Sequence, residues 1–405
     1  LSPIRARGTV FSRAVRRRAG FDEEYIDTLF LFSDSRGRRP TVYHFNPPAR
    51  GRLRNILTED YGLLMSLLAA ADDVVLHGPV RREFLLESRE RGLHNCRFAT
   101  VGELDRIPGR YVPFEHNQQS LLMIEQLKKF AGFQSHTPVF DSRRSHVLQL
   151  AAKAGWQSEG PFQRVFLNDG CGPEIERLQK SWNGTFVLKK ERGASGHGFT
   201  FLKAGEAWGD LSPYCVVETW VDRLADVSFL FEVEKSGRIR PQGFTRFFTC
   251  DGIYRGTAIG AALPGREFSR LMIQMEILAR NLGPALAGSG YYGYAGMDGF
   301  LFEYRGQIYI QPCSEVNLRL TFGHLARQLQ GRRSRSALFW TLPARAGRDL
   351  YTARPSGITF LTDPVVARRS VAILLEGGTL AQLLERALEL EYRTSGLEKS
   401  WRQTE

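Results

Sequence analysis

A lysine followed by a glycine-rich turn is the first pattern in the chain that suggests chemistry. Residues 185–200 read TFVLKKERGASGHGFT, in which Lys189 precedes Gly193, Gly196 and Gly198. Apolar residues flank the turn, so the pattern predicts a strand, a turn and a second strand. Because glycine has no Cβ, the turn can lay backbone N–H groups along a polyphosphate while the lysine supplies countercharge. A plain glycine hairpin with solvated lysines is the alternative, and the GxxxxGK[ST] pattern of a P-loop is absent.

Two later segments bring acids together in a predicted hairpin with its turn at 304–307. Pairing outward from that turn places Asp298 opposite Cys313 and diagonal to Glu315. Side chains alternate along a strand, so Asp298, Glu315 and Asn317 share one face. Two carboxylates and an amide oxygen suit Mg²⁺ or Mn²⁺, and an outward polar sheet face is the alternative.

Length and composition predict a globular protein. The chain has 405 residues, 42% of them hydrophobic, enough for roughly two or three domains. No apolar run approaches the roughly 20 residues that span a bilayer, and no signal peptide is evident. The five cysteines are widely spaced without a CxxC pair, which excludes a disulfide framework and predicts reduced thiols. We therefore expect a cytoplasmic protein.

The net charge of +12 is concentrated at the start of the chain. Six arginines and no acid lie within residues 1–20, which we interpret as a basic arm. Arg-rich, Ser-containing, acid-poor starts also occur in organelle transit peptides, so that location stays open. Aromatic residues do not alternate with basic ones in the manner of nucleic-acid-binding modules, and we expect no nucleic-acid partner.

Hydrophobic periodicity predicts an α/β chain whose elements alternate before the glycine turn. We expect strands at 41–45 and 73–77 and a series of helices. The predicted helices are 63–71, 83–91, 116–133, one capped by Asp141 or Ser142, 267–282 ended by Gly283 and Pro284, and 380–392 capped by Thr379.

In their order along the chain, these motifs resemble the ATP-grasp superfamily of carboxylate–amine ligases. The shared features are Lys189 with GASGHG, Glu218 within VVETWV, then Asp298, then Glu315 and Asn317 two residues apart. The resemblance covers roughly residues 136–335. The remainder looks more like the larger peptide-ligase members, which carry a preceding α/β lobe and a C-terminal addition.

The resemblance implies an α/β (α+β) ATP-grasp fold, with an N-terminal open α/β lobe and a two-lobed nucleotide-binding region. Its domains would be the arm at 1–20, the lobe at 21–135, the ATP-grasp region at 136–335 with a lid at about 160–220, and an extension at 336–405. It implies ATP and Mg²⁺ (or Mn²⁺) as cofactors, and an acyl phosphate made from a carboxylate and attacked by an amine. An ATP-grasp phosphotransferase and a non-catalytic nucleotide-binding scaffold remain alternatives. We expect small-molecule carboxylate and amine substrates and no association with a membrane. Whether the protein forms a homodimer is left open.

The resemblance also implies roles for individual residues. An arginine that some members carry before the metal aspartate is Met297 here, so other arginines would have to contact the substrate. The implied nucleotide residues are Lys189, Gly193, Ser195, Gly196, Gly198, Glu218, Thr219, Val221 and Asp226. Members of the family often have a second nucleotide lysine, and this chain offers Arg143 or Arg144 at that place. His197, inside the glycine turn, is a candidate contact for the γ-phosphate or the substrate, and a solvent-facing histidine is the alternative. The metal residues are Asp298, Glu315 and Asn317, and the catalytic, substrate-side residues are Arg319, Arg255 and Arg246.

Overall fold

The computed structural model describes residues 41–46, 51–99, 110–115, 118–127, 134–135, 140, 142–167, 171–191, 199–208, 211, 214–250, 252–260, 265–330 and 336–395. The predicted basic arm at 1–20 and the glycine turn at 192–198 lie outside the described residues. The predictions made for Gly193, Ser195, Gly196, His197 and Gly198 therefore stay predictions.

The N-terminal lobe is a parallel sheet with the strand order β3-β2-β1-β4-β5. Predicted strands at 41–45 and 73–77 are confirmed as β1 and β2. The predicted helix at 63–71 is wrong: a six-residue 3₁₀ helix follows α1, because Gly62 packs against the His77 backbone and all six residues are buried. The elements are β1 (Thr41–His44), α1 (Gly51–Tyr61), the 3₁₀ helix (Gly62–Leu67), β2 (Val74–Leu76), α2 (Arg82–Glu90), β3 (Arg97–Ala99), β4 (Arg110–Pro113), α3 (Gln118–Leu127) and β5 (Gln134–Ser135).

A small antiparallel sheet, which we call the lid sheet, follows with the strand order β6-β9-β7-β8. One of its faces is apolar, with Leu178, Phe186, Leu188 and Val217 buried together. Lys189 lies at the far end of the strand that carries this apolar run. The elements are α4 (Arg144–Lys153), β6 (Arg164–Phe166), α5 (Gly172–Ser181), β7 (Thr185–Lys190), β8 (Phe199–Lys203) and β9 (Tyr214–Thr219).

The central sheet has eight strands in the order β14-β13-β10-β11-β12-β15-β17-β16. Its last three strands come from the predicted C-terminal extension, which therefore continues the sheet that carries the acids. The elements are β10 (Asp222–Val233), β11 (Ile239–Cys250), β12 (Ile253–Ile259), α6 (Arg266–Gly288), β13 (Gly293–Tyr304), β14 (Gln307–Asn317), α7 (Phe322–Gln330), β15 (Ala337–Pro343), α8 (Ala344–Ala353), β16 (Ile358–Phe360), β17 (Ser370–Glu376) and α9 (Leu380–Ser395).

The two faces of the central sheet pack differently because successive side chains point to opposite sides. Phe229 and Met297 point to the face covered by α6, where they contact an apolar stripe that includes Met275. The other face receives the N-terminal lobe, and a single core joins Phe45 and Phe114 of the lobe to the sheet. The acids lie on this second face, between the lobe and the lid sheet.

The end predicted for the long helix is wrong. Helix α6 continues through Gly283 and Pro284 to Gly288. A Cβ on Gly283 would lie 2.3 Å from the carbonyl oxygen of Gly237, so glycine is there for close packing and not to end the helix. Leu282 and Leu286 are fully buried on either side, and this packing outweighs the hydrogen bond that proline removes. The cap predicted for α9 is confirmed, since Gln382 N donates to Thr379 Oγ1 at 3.3 Å.

Candidate nucleotide and metal site

The predicted hairpin of β13 and β14 is present, but its register changes part-way. Arg305 and Gly306 form the turn with positive φ, and from there Phe300 pairs with Gln311 as predicted. A bulge between Asp298 and Phe300 then shifts the pairing, so Asp298 lies opposite Glu315. The prediction that Asp298 faces Cys313 is wrong. The bulge forms at Gly299, where a Cβ would lie 2.7 Å from the carbonyl oxygen of Gln311.

The bulge brings together the three predicted metal residues, Asp298, Glu315 and Asn317, which we call the acid cluster. Asn317 Nδ2 donates to Asp298 Oδ2 at 2.8 Å. Arg319 Nη2 in turn donates to Asn317 Oδ1 at 3.0 Å, so Arg319 lies beside the cluster as predicted. Burial raises the pKa of Asp298 to about 7, and the Glu315 charge adds to that rise. The cluster thus holds more negative charge than its surroundings stabilise.

Arg144 lies against the acid cluster from the first turn of α4. Its Nη2 donates to Glu315 Oε1 at 2.7 Å, and its Nη1 donates to the backbone carbonyl of Lys190. Burial opposes the charge on Glu315, but Arg144 and Lys189 outweigh it and hold the pKa of Glu315 below its ordinary value. One guanidinium therefore bridges the lid strand that carries Lys189 and the strand that carries Glu315.

The cap predicted for α4 differs from the structure. Asp141 lies outside the described residues, and the helix begins at Arg144 with the exposed Arg143 at the N-cap. The capping carboxylate comes from the end of β7: Ser145 N donates to Glu191 Oε2 at 3.1 Å. This contact fixes the start of α4 to the lid sheet.

A second charged group, which we call the lid ion cluster, consists of Arg164, Lys189 and Glu218. Lys189 Nζ lies 2.6 Å from Glu218 Oε2, and Arg164 Nε lies 2.5 Å from Glu218 Oε1. The three side chains are at most 2% exposed. Burial disfavours the charge on Glu218, but Arg164 and Lys189 overcome it and lower its pKa to about 2. Both carboxylate oxygens of Glu218 therefore contact cations in this structure.

Arg164 belongs to this ion cluster, and the sequence analysis did not identify it. Besides Glu218, its Nη2 donates to the carbonyls of Cys313 and Ser314, each at 3.1 Å, next to Glu315 in the chain. Its guanidinium also stacks over the Trp156 ring, 4.4 Å from the centroid. The available signal was an arginine within a short apolar run that ends the segment 160–166. Its contacts depend on strand pairing, which a local pattern does not reveal.

The residues predicted to bind the base and ribose are already engaged with the protein. Thr219 exchanges hydrogen bonds with Gln163, whose N donates to Thr219 Oγ1 at 3.0 Å. Val221 is buried in an apolar cluster with Phe162 and Phe300. Asp226 accepts from Arg223 Nη1 at 2.9 Å and from Thr249 Oγ1 at 3.2 Å.

Two predicted substrate arginines lie elsewhere. Ser228 pairs with Asp298 on one side and with Thr245 on the other, so Arg246, the next residue, points to the opposite face of the sheet. Arg255 Nη1 lies 3.1 Å from Glu391 Oε1 on α9. Of the three predicted arginines, Arg319 is the one that the structure places at the acid cluster.

Comparison with solved structures identifies the arrangement of the three sheets. N5-carboxyaminoimidazole synthetase from Staphylococcus aureus, complexed with ADP, aligns with a TM-score of 0.53 and 12% identity, over 87% of this chain and 97% of that chain. Carboxyaminoimidazole ribonucleotide synthase from Aspergillus clavatus, complexed with ATP, aligns with a TM-score of 0.53 and 12% identity, over 88% and 99%. The chain has the ATP-grasp fold. Biotin carboxylase from Campylobacter jejuni aligns with a TM-score of 0.51 and 10% identity, over 87% and 91%. No protein-family model and no curated protein matches the sequence.

The predicted ATP-grasp fold is thus confirmed, and the fold implies a nucleotide and a divalent metal as ligands. Among the described residues, no group of three His, Cys, Asp or Glu side chains is placed to hold a metal. The acid cluster instead offers two carboxylates and one amide oxygen. This set fits Mg²⁺, which takes few protein ligands and completes its octahedron with water and phosphate oxygens. The raised pKa of Asp298 also fits, because a divalent cation would relieve the repulsion between the two acids.

The cations near the acid cluster also fit a polyphosphate. Arg144 and Lys189 both lie against the Phe199 ring, at 5.7 Å and 5.3 Å from its centroid. They reach this ring from α4 and from β7, so their charges converge on one place beside Glu315.

No helix in the described part of the chain is long and apolar enough to cross a bilayer.

Proposed function

We propose that the protein is an ATP-dependent ligase that joins a carboxylate, an amino acid or a peptide-like molecule, to an amine through an acyl phosphate. The observation that carries this proposal is the position of Arg144, whose guanidinium contacts both the Lys190 carbonyl and Glu315. Arg144 therefore connects the lysine-bearing lid strand to the acid-bearing hairpin. A nucleotide bound there would have its phosphates between the two.

The residues divide into two groups by charge. Lys189 and Arg144 would supply the positive charge that holds the phosphates, and Asp298, Glu315 and Asn317 would hold the metal. A Mg²⁺ ion held there would neutralise charge on the γ-phosphoryl group. Arg319 donates a hydrogen bond to Asn317, and its guanidinium would orient a carboxylate toward that phosphoryl group. These residues act by position and charge.

The proposed reaction proceeds in two steps, and neither step needs a covalent enzyme nucleophile. A carboxylate oxygen attacks the γ-phosphorus, the bond to the β–γ bridging oxygen breaks, and ADP leaves. The amine then attacks the acyl carbon, phosphate leaves and the amine loses a proton to solvent or to phosphate. The solved structures with this fold include proteins named as synthetases and as a carboxylase, which supports ligase chemistry over the phosphotransferase alternative.

Hydroxylamine trapping tests the proposal. The protein is incubated with MgATP, hydroxylamine and a panel of amino acids, short peptides and other carboxylic acids. A ligase forms hydroxamate and ADP in equal amounts, only with its own carboxylate, and Glu315→Ala forms neither. ADP with a stable phosphorylated product and no hydroxamate would show a phosphotransferase. Tight nucleotide binding without ADP formation across the panel would show a scaffold, and either result overturns the ligase proposal.

A further inference from the structure

Arg144 already neutralises one acid of the acid cluster in this structure. Its Nη2 lies 2.7 Å from Glu315 Oε1, and its side chain is 6% exposed. A carboxylate oxygen held by a guanidinium shares its charge and a lone pair with that guanidinium. Glu315 is therefore a weaker metal ligand while Arg144 stays in place, because a metal would have to compete with a buried ion pair.

We propose that Arg144 keeps a divalent metal off Glu315 until a nucleotide polyphosphate draws the guanidinium away. The inference rests on the proposed function and concerns how its two ligands are coupled. The metal and the nucleotide then bind cooperatively, because the polyphosphate offers Arg144 another anion and so frees a ligand for the metal. By linkage, the metal strengthens nucleotide binding by the same factor.

Arg144 is held in a way that lets the side chain change partner while the helix stays fixed. The backbone is anchored, since Arg144 N donates to the Glu191 carbonyl at 3.2 Å and Ser145 N donates to the Glu191 carboxylate at 3.1 Å. The guanidinium is less completely held, because its Nε is buried without a hydrogen-bond partner. An unsatisfied buried donor is costly, so an anion that reached Nε as well would be favoured.

A second cation, Lys189, lies at the same ring as Arg144. Lys189 Nζ lies 5.3 Å from the centroid of the Phe199 ring, and the Arg144 guanidinium lies 5.7 Å from it. A polyphosphate at this ring would meet both charges at once, whereas Glu315 offers Arg144 a single carboxylate. The exchange of partners is therefore favoured by the greater negative charge of the polyphosphate.

Manganese binding to the nucleotide-free protein tests the proposal without any turnover. Free Mn²⁺ is followed by electron paramagnetic resonance in wild type, Arg144→Met and Lys153→Met. We expect Arg144→Met to bind Mn²⁺ on the order of tenfold more tightly, within the range usual for coupled sites. Lys153 is exposed at the other end of α4, so its removal should change the affinity less than about twofold.

The same titration in a Glu315→Gln background separates the proposed contact from a general effect of charge. If Arg144 acts through Glu315, the tenfold gain disappears in that background. An equal gain in both backgrounds, or no gain in Arg144→Met, overturns the proposal. If Arg144→Met fails to fold, Arg144→Lys replaces it in the titration, because lysine keeps the charge but cannot span Glu315 and the Lys190 carbonyl. We then expect Mn²⁺ affinity to rise by about threefold. An unchanged affinity overturns the proposal. Absence of hydroxamate would leave these affinities unaffected, so the two proposals fail separately.

Discussion

Arg164 and Glu218 lie directly opposite each other where β6 pairs with β9, with Arg164 Nε 2.5 Å from Glu218 Oε1 and both side chains fully buried. Each residue of this ion pair also contacts a further partner. Glu218 also holds Lys189, and Arg164 also donates to two carbonyls of β14. The ion pair therefore links the lid sheet to the strand that carries Glu315. It also holds the Glu218 carboxylate against Lys189.

Replacing Arg164 with methionine should strongly destabilise the fold. The change keeps the volume but leaves Glu218 with one cation and the β14 carbonyls without their donor. Breaking a buried pair from one side costs about 3–5 kcal/mol, which urea unfolding followed by tryptophan fluorescence would measure. Arg177→Met is the control, since Arg177 is 74% exposed and should change the free energy of unfolding by less than about 0.5 kcal/mol.

A double-mutant cycle extends that test. Arg164→Met combined with Glu218→Gln removes the uncompensated charge, so the double variant should be more stable than the sum of the single effects predicts. Additive effects would show that Arg164 stabilises the protein through its ring and carbonyl contacts and not through Glu218.

Replacing Asp298 with asparagine should abolish ADP formation without unfolding the protein. Asparagine keeps the shape but removes one of two metal carboxylates, and we expect turnover to fall by on the order of 100-fold or more. It also removes a charge buried opposite Glu315, so the metal-free protein should melt at the same temperature as wild type or higher. Glu303→Gln, an exposed acid on the same strand, is the matched control and should keep its turnover. Retained turnover in Asp298→Asn would remove the metal assignment.

Much of this arrangement could be predicted from the sequence, because the motifs are local and their order is distinctive. Lys189 after an apolar run, and Glu315 two residues before Asn317, predicted strands with these side chains on the faces where the structure has them. The hairpin turn was predictable for the same reason, since Arg305 and Gly306 adopt positive φ as such a turn requires. The order of these motifs along the chain predicted the ATP-grasp fold.

The remainder depends on contacts between distant segments. Arg164 contacts Glu218, which lies 54 residues later in the chain, and the sequence near residue 164 does not predict this contact. The side of the sheet to which Arg246 points follows from the pairing of β10 with β11, which the sequence does not specify. Gly299 is a local signal for the change of register, because a glycine inside a strand often marks a bulge, and this bulge places Asp298 opposite Glu315.

The stability of the protein should depend on pH through His44. Burial lowers the pKa of His44 to about 4, and its Nδ1 lies 2.7 Å from the Tyr111 hydroxyl, which can donate to the neutral ring. The folded state therefore binds a proton less readily than the unfolded chain, whose histidine titrates near pH 6.5. The stability from the neutral ring is fully present above about pH 6.5 and is lost as pH falls toward 4, a loss on the order of 3 kcal/mol.

Urea unfolding of wild type and His44→Gln between pH 7 and pH 4 would measure this loss, since the difference between the two isolates the histidine. The variant should lose less stability on acidification. Tyr111→Phe should keep the steep dependence, because it removes the hydroxyl but leaves the ring buried. Parallel curves for wild type and His44→Gln would show that His44 is not the titrating group.

The N-terminal lobe should loosen from the central sheet when Asp60 is replaced by asparagine. Asp60 is 4% exposed, and its carboxylate accepts the backbone N–H groups of Arg368, Arg369 and Ser370 at 2.8, 2.8 and 2.9 Å. An amide offers one oxygen and turns its NH₂ toward a backbone donor, so at least one N–H loses its partner at a cost of about 1–3 kcal/mol. Hydrogen exchange at the start of β17 should rise accordingly. Asp72→Asn, at an exposed acid of the same lobe, is the control and should leave that exchange unchanged. Equal protection of β17 in both variants would mean that Asp60 does not hold the N-terminal lobe against the central sheet.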